Sequence, residues 1–462
     1  MKVTSPVTGE VIAEIADDGP AEVAAAVSSA GRAFTDLQQI PLFERCDRLR
    51  LTADALEGRR DEYVRNLSLE HGKTLAQAGE ELDGAAHGLR MTAEYARRLE
   101  GRTIPVGDPA KRAFTRREPL GVVGVITPWN FPLAIPVEYI APALAVGNTV
   151  VWKAAESTPL STAAIRTAFA AAGWPEGALV SLTGGPATGA ALVRSSGLAA
   201  VCFTGSAEVG AEIAALGGLR RQILELGGNG PTIVFADADL EAAAACIASG
   251  SYYSSGQTCT ATERILVERN AENAFLDALV ARTEAERLGS PFEQETTIGP
   301  LHLDQTAEKV REHIQDAVAK GARAFGNGGP MGGFPTTRYF QPTVLSEVTP
   351  AMRIFTEETF GPVAPITSFH GEDEAARLAS LGGWGLAGAV FTRDIGRAFA
   401  VAEWLRVGHV VVNDTSDYWE MHLPFGGAPG TKSGIGRVGG DYALEQLSAV
   451  KSMIVHVGRS GP

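Results

Sequence analysis

GVVGVITP, residues 121–128, ends one sequence texture and starts another. After it come an apolar helix around 137–146, NTVVWK (148–153), a helix over 160–172, ALVSLTGG (178–185), a helix over 188–194 and AAVCFTGS (199–206). Short apolar strands alternating with helices require right-handed crossovers and a parallel sheet covered on both faces, the doubly wound arrangement. Ligands then sit beyond the carboxyl ends of the strands. Upstream, from about 18 to 99, Ala, Leu and Arg recur at three- and four-residue steps with few breakers, which predicts an outer helical layer. A second alternating region runs from 232 to about 412, with TERILVE (262–268) as a strand and helices over 271–287 and 305–322. It predicts a second α/β domain. RAFTRREPL (112–120) and KSMIVHV (451–457) fit neither unit; both have strand character, and unpaired strands need covering, so they are expected to pair with each other and with a neighbouring subunit.

A chain of 462 residues is too long for one compact core, so two or three domains with a cleft between them are expected. Apolar residues at 45% and charged residues at 20% give a globular balance. A formal charge of −14 excludes a nucleic-acid or anionic-membrane surface, since either needs a basic field. MKVTSPVTGEVIAEI shows no secretion signal, and no segment reaches the roughly 18 apolar residues of a membrane span, so a cytoplasmic protein is expected. Cys46, Cys202, Cys246 and Cys259 lack CxxC spacing and neighbouring His, which argues against disulfides and a zinc site.

SSGQTCTATERILV (254–267) places Cys259 in a short polar turn before a strand. A lone cysteine is ordinarily a small buried hydrophobe, which suits Cys46, Cys202 and Cys246. Cys259, among Gly, Gln and three Thr, lacks an apolar seat and belongs where a substrate reaches it. Only its thiolate is a good nucleophile, and turn N–H groups, a cofactor's positive ring or a nearby base are the available activators. Glu225, in ILELGGNGPTIVFADADL (223–240), precedes a Gly pair; it is either a surface carboxylate or one in a dry cleft with a raised pKa, able to activate water. Asn130 in TPWNFPL (127–133) puts an amide donor at the end of a parallel strand.

TPWNFPL, FTGSAEVG (203–210), LELGGNGP, GQTCTA, EETFGPV (357–363) and PFGG (424–427) occur in the order and rough spacing that resemble the aldehyde dehydrogenase superfamily, over nearly the whole chain. The resemblance implies a Rossmann-like NAD-binding domain (1–103 and 122–227), a second α/β catalytic domain (228–440) and a small β oligomerisation arm (104–121 and 441–462), with assembly to a dimer or tetramer through edge strands. It makes Cys259 the nucleophile, with the thiohemiacetal oxyanion held by Asn130 and the Cys259 N–H, and Glu225 the base that activates water to hydrolyse the thioester. For the cofactor it implies Lys153 and Glu156 at the adenosine ribose, Ser206 with Gly205 at the pyrophosphate, Gly185 and Gly189 allowing close approach, and Glu358 with Phe360 at the nicotinamide ribose. Ile126, Thr127, Trp129, Thr204 and Leu226 complete that set. Glu156 favours NAD, with NADP an alternative. Phe131, Ile135, Glu138, Thr258 and Thr260, with Tyr418 and Trp419 of DTSDYWEMHL (414–423), would line the way in, and they point to an apolar or aromatic aldehyde; no Arg pair awaits a second carboxylate, so a semialdehyde is the alternative.

GIGRVG (434–439) satisfies a dinucleotide fingerprint, yet it follows APGTKS rather than a strand and is set aside. Departures from the family pattern are Asn229 and Gly230 where Lys and Ser are usual, the lengthened PFGGAPGTKSG, and Val438 for a common Glu. Two other functions compete: a CoA-acylating relative, against which Glu225 argues because no water need be activated, and a non-catalytic protein that kept the fold, against which Cys259, Glu225 and Asn130 argue together.

Overall fold

The computed structural model describes residues 1–326 and 328–458; residues 459–462 of the expected terminal arm segment lie outside the described residues. Its first sheet has six strands in the order Gly434–Ile435, Arg221–Leu226, Ala200–Gly205, Val122–Ile126, Thr149–Lys153, Leu179–Leu182. All run parallel except the two-residue edge strand at 434–435. From the strand that 121–128 announces, the chain winds outward to 179–182, then returns to the opposite side at 200–205. The winding therefore reverses between Val122–Ile126 and Ala200–Gly205, and a crevice opens beyond their carboxyl ends. Val123, Val125, Val150 and Val151 are fully buried, as a sheet covered on both faces requires.

Helices Ala134–Val146, Pro159–Ala171, Pro186–Arg194 and Ala207–Gly217 supply the crossovers. Two start one or two residues earlier than their hydrophobic period indicates because Pro159 and Pro186 occupy the first helical position, where a missing N–H costs nothing. The helical layer resolves into Pro20–Gln38, Leu42–Glu57, Arg60–His71 and Leu75–Ala96. Fully buried Ala85, Ala86 and Ala93 let the last of these pack closely on the second.

The second sheet has seven strands, ordered Arg323–Phe325, Thr343–Ser346, Val363–Phe369, Arg264–Glu268, Pro231–Val234, Ala387–Phe391, His409–Val412, with only the first antiparallel. The helices here are shorter than 271–287 and 305–322: Glu272–Glu284 follows a 3-10 turn at Arg269–Ala271, and Asp304–Ala319 stops before Gly321 at φ +103°. A third sheet joins Ser448–His456, Lys111–Pro119 and Thr103–Ile104. The two orphan strands pair with each other in register from Ser448↔Pro119 to His456↔Lys111. Ile454, Val450 and Phe114 remain exposed there. A short hairpin, Lys2–Thr4 with Val11–Glu14, was not evident from hydrophobic period. Among the described residues no helix is long and apolar enough to cross a membrane.

The set-aside GIGRVG segment lies on the first sheet's edge, where Gly434 pairs antiparallel with Glu225. It forms no strand-to-helix turn of a parallel unit, so its glycines cradle no phosphate.

Asn148 ties the arm to the first sheet. Its Oδ1 accepts from the N–H groups of Leu120 (2.6 Å) and Gly121 (3.0 Å), while its Nδ2 donates to the Leu447 carbonyl at 2.8 Å. The side chain is fully buried, so Asn148→Ala orphans three backbone groups. We expect a loss of about 3 kcal/mol in urea unfolding; a variant as stable as the parent would show that these bonds do not hold the arm.

Candidate active site

Glu225 stands at the end of one sheet, and Pro231 begins a strand of the other. The crossing between them is tight. A Cβ on Gly228 would lie 2.2 Å from the Cys259 carbonyl oxygen, and one on Gly230 would lie 1.5 Å from that of Ala387. Glycine at 230 is thus enforced by the second sheet. Asn229 donates to the Glu357 carbonyl at 2.9 Å and steadies the segment that carries Glu358. This crossing sets the carboxyl ends of the first sheet against the amino ends of the second, so loops from both face one cleft.

The nucleophile's turn is built by conformation. Helix Leu240–Tyr252 is followed by Ser254, Ser255 and Gly256, all at positive φ (50°, 59° and 75°). Such residues persist only where their surroundings hold them. Here Ser255 Oγ donates to the Gly299 carbonyl at 2.8 Å, and Gln257 bridges the Ser254 carbonyl (3.0 Å) and the His302 N–H (2.8 Å). Cys259 emerges partly exposed. It also rests on the apolar core of the first sheet, which its polar sequence neighbours do not reveal. Cys46 and Cys202 are buried; Cys246, expected to be buried, is partly exposed beside Asp414 because its helix face abuts the 414–423 loop.

The cleft has a cavity volume of about 250 Å³. Of the residues expected from sequence, Cys259, Glu225, Asn130, Trp129, Thr204, Gly205, Ser206, Leu226, Glu358 and Phe360 line it together. Ile126, Thr127, Lys153, Glu156, Gly185 and Gly189 do not. Thr127 instead accepts from the Trp152 indole at 2.9 Å, and Lys153 pairs with Glu156 at 2.9 Å. A Cβ on Gly185 would meet nothing within 4 Å, and one on Gly189 only Ile126 Cδ1 at 3.8 Å. Open space therefore lies above Gly185, while Ser206, which lines the cleft, caps the amino end of helix Ala207–Gly217, its Oγ accepting from Val209 N–H at 3.3 Å, and such an end suits an anion.

Asn130 Nδ2 donates one hydrogen to the Gln257 carbonyl at 3.1 Å, leaving its second free, and Oδ1 has no partner. Its backbone is fixed by a buried ion pair that sequence reasoning missed. Lys73 Nζ donates to the Asn130 carbonyl at 2.9 Å and to Glu81, whose other oxygen accepts from Leu133 N–H at 2.8 Å. Trp129 stacks on His302 (4.6 Å) and meets Phe360 edge-on (5.6 Å). Phe360 itself sits at φ +64°, and the Glu263 carboxylate holds the N–H groups of Thr359 and Phe360. Glu358 accepts from Gly228 N–H at 2.8 Å. Gln305, Thr306 and Lys309 also line the cleft; their shared face was legible only as the polar side of a surface helix.

Burial pushes the Cys259 thiol well above its ordinary range, with the Glu225, Glu358 and Glu138 carboxyls adding to the shift. Burial likewise raises Glu225, assisted by Glu138 and Glu358 and opposed by a hydrogen bond with Cys259. Of the three activators open to the sequence, the turn's backbone opposes the shift only weakly and the neighbouring acids oppose ionisation.

On the substrate side, Phe131 stacks with Tyr253 at 6.5 Å, and Glu138 and Trp419 line a narrow neighbouring cavity. Tyr418 is half exposed, its hydroxyl donates to Glu420 at 2.7 Å, and it lines neither cavity. Ile135, Thr258 and Thr260 are buried and line neither cavity. No cluster of three or more His, Cys, Asp or Glu among the described residues forms a metal site.

A model of the aldehyde dehydrogenase family matches residues 1–453. The chain is 38% identical over 465 residues to glutarate-semialdehyde dehydrogenase of Pseudomonas putida, covering 99% of this chain and 94% of the relative. It superposes on a crystal structure of succinate-semialdehyde dehydrogenase from Burkholderia pseudomallei with a TM-score of 0.96 and 38% identity, covering 99% and 94% of the two chains. Betaine aldehyde dehydrogenase from Staphylococcus aureus in complex with NAD+ gives a TM-score of 0.95 and 33% identity, covering 100% and 92%.

The acid-rich surroundings of Cys259 predict its reactivity. Without cofactor, alkylation of Cys259 by iodoacetamide, followed by peptide mass spectrometry, should be slow at pH 7 and accelerate as pH rises past the range of an ordinary thiol. At a pH high enough to ionise Glu225, Glu225→Gln, which removes that like charge, should react faster than the parent. Equal rates in the two proteins would contradict the electrostatic account.

Proposed function

Because this chain belongs to the aldehyde dehydrogenase family and is an NAD(P)-dependent oxidoreductase acting on aldehydes, we propose that Cys259, Asn130 and Glu225 carry out the oxidation of an aldehyde to a carboxylic acid. The carrying observation is their convergence, from two sheets, on one cleft. Cys259 Sγ attacks the carbonyl carbon, and the oxyanion that forms takes the free Asn130 Nδ2 hydrogen and the Cys259 N–H. Bound NAD supplies the hydride acceptor that turns the thiohemiacetal into a thioester. Glu225 then takes a proton from water, the hydroxide displaces the thiolate and the acid departs. A raised pKa suits Glu225 to this role, because a base is most effective when its pKa lies near the working pH.

The cofactor contacts divide between residues that line the cleft and residues around its far end. Glu358, Phe360, Trp129 and Thr204 face the reacting end; Ser206, Gly205, Gly185 and Gly189 receive the pyrophosphate; Lys153 and Glu156 meet the adenosine ribose. Accordingly, 1–103 with 122–227 would be the NAD-binding domain and 228–440 the catalytic one. The latter also lends the first sheet its edge strand Gly434–Ile435, which pairs beside Glu225. The exposed apolar residues on the arm support association of subunits through Ser448–His456, and the protein is read as a cytoplasmic homo-oligomer.

Incubating the protein with an aldehyde panel and either dinucleotide, with absorbance at the reduced-nicotinamide band and product analysis, tests this reading. Free acid is expected, and Cys259→Ala should abolish turnover. Glu225→Gln should give a single burst of reduced cofactor and then stall as the thioester. Acyl-CoA as the main product, or unchanged turnover in Cys259→Ala, would sink it.

Cofactor choice follows from Glu156, half exposed beside Lys153. A 2′-phosphate there meets a carboxylate, so kcat/KM with NAD should exceed that with NADP by about tenfold or more. Glu156→Ser should narrow the gap, and an unchanged ratio would remove Glu156 from the ribose site.

A further inference from the structure

His302 sits where three parts of the cleft meet. It is buried two residues before helix Asp304–Ala319, and its main chain is pinned on both sides. Its N–H donates to Gln257 Oε1 at 2.8 Å, and its carbonyl accepts from Arg338 at 2.8 Å, whose guanidinium also grips Asp304. The same Gln257 amide donates to the Ser254 carbonyl in the turn before Cys259. The His302 ring is layered between two others, 5.2 Å from His71 and 4.6 Å from Trp129. At its edge, Nε2 shares a hydrogen bond of 2.7 Å with Ser157 Oγ. Ser157 follows Glu156 in the loop after strand Thr149–Lys153, and Trp129 precedes Asn130. One imidazole thus touches both the loop proposed for the adenosine ribose and the wall of the reacting end.

Packing alone does not ask for an imidazole here. Burial pushes its pKa down to about 3, with Arg338 adding to the shift, so the ring is neutral. Nδ1 makes no well-formed hydrogen bond, and neither ring nitrogen of His71 behind it has a partner. A phenyl ring would fill the slot between His71 and Trp129 without leaving a buried polar atom unsatisfied, which is costly. What a phenyl ring cannot do is hold Ser157. Trp129 in turn meets Phe360 edge-on at 5.6 Å, so the stack reaches the opposite wall of the cleft.

We infer that His302 is a positioning residue for the cofactor: its ring holds the loop that carries Glu156 at a fixed distance from the Trp129 wall, so that both ends of a dinucleotide meet a preformed site. This rests on the proposed aldehyde oxidation with NAD. Edge and face of the ring have separable effects, as expected when supporting contacts hold a site in place. The Nε2 bond sets the Ser157 loop and acts on cofactor affinity. The stack orients Trp129, next to Asn130, and acts on turnover.

Ser157→Ala, His302→Phe and His302→Gln test it, compared with the parent by thermal unfolding, by titration calorimetry with NAD and by turnover of an aldehyde from the panel. Phe keeps the stack and loses the bond, whereas Gln keeps a polar end and loses the stack. Ser157→Ala and His302→Phe should each weaken NAD binding about fivefold and raise KM for NAD by the same factor, with kcat within about twofold of the parent. The double variant should bind no more weakly than either single, because all three lack the same bond. His302→Gln should lower kcat about tenfold and keep most of the affinity. A purely structural role would lower Tm and leave affinity and kcat of the folded protein as they were; that outcome overturns the inference, as do additive losses in the double variant. If no aldehyde is oxidised yet NAD binding follows the stated order, the proposed activity falls and the role of His302 stands. If oxidation proceeds and Ser157→Ala binds NAD as the parent does, the role falls and the activity stands, while a parent that binds no NAD loses both.

Discussion

Two carbonyl oxygens, those of Cys259 and Ala387, occupy the space that side chains at 228 and 230 would need. Because backbone rather than side chain fills that space, the chain crosses from one sheet to the other at the closest possible approach. The consequence is chemical. Glu225 ends the last parallel strand of the first sheet, Cys259 precedes a strand of the second, and only a thin crossing brings a carboxyl and a thiol from two sheets into one cleft. A side chain at either glycine would open the seam and separate the two groups before it disturbed either sheet.

The loops around that seam are held by buried carboxylates rather than by apolar packing alone. Glu81 accepts from the first N–H groups of helix Ala134–Val146, Glu70 from Leu160 N–H (2.7 Å) and Ser161 N–H (2.8 Å) at the start of helix Pro159–Ala171, and Glu263 from Thr359 and Phe360. Helix amino ends favour negative charge. Desolvation opposes it, and it lifts Glu70 to about 8. Only Glu81 has a matched cation, Lys73, and that pair is fully buried. Replacing such a pair by apolar residues is often neutral or stabilising. Its presence beneath Asn130 is explained by geometry, since an ammonium also donates to the Asn130 carbonyl, which no apolar substitute does.

How much of this was legible depended on the length over which each signal extends. The doubly wound sheet was readable because strand and helix periods alternate over some eighty residues from 121, and the motifs around Cys259, Glu225 and Asn130 carry residue types that chemistry needs in a fixed order. Helix starts were missed where Pro159 and Pro186 break the apolar pattern yet suit a first turn. Lys73, Glu81 and Glu263 were not legible. Each is a charged residue in a polar or helical stretch, indistinguishable from a solvated one until another segment, 57 residues away for Lys73 and Asn130, covers it. Asn229 and Gly230 looked like departures from a family pattern, and both have local causes: a carbonyl at 357 to hold and a carbonyl at 387 to avoid. The Tyr418 hydroxyl found Glu420, two residues away, and a local bond of that kind leaves no mark in hydrophobic period.

The distribution of charge around the cleft gives these parts a common logic. Glu225, Glu358 and Glu138 all raise the thiol's pKa, and Lys309, the one basic residue among the described residues that line the cleft, acts on Glu358 and Glu263. A nucleophile so placed is quiet in the empty protein. In a medium of low effective dielectric, a single positive charge a few ångströms away changes the balance by several kcal/mol, far more than in water. Under the mechanism proposed above, reactivity would arrive with the ligands, because the positive ring of a bound dinucleotide would oppose the carboxyls that hold the Cys259 thiol protonated. A cleft lined with Lys or Arg would have activated the sulfur permanently, exposing it to any electrophile and to oxidation, since thiolate character governs both.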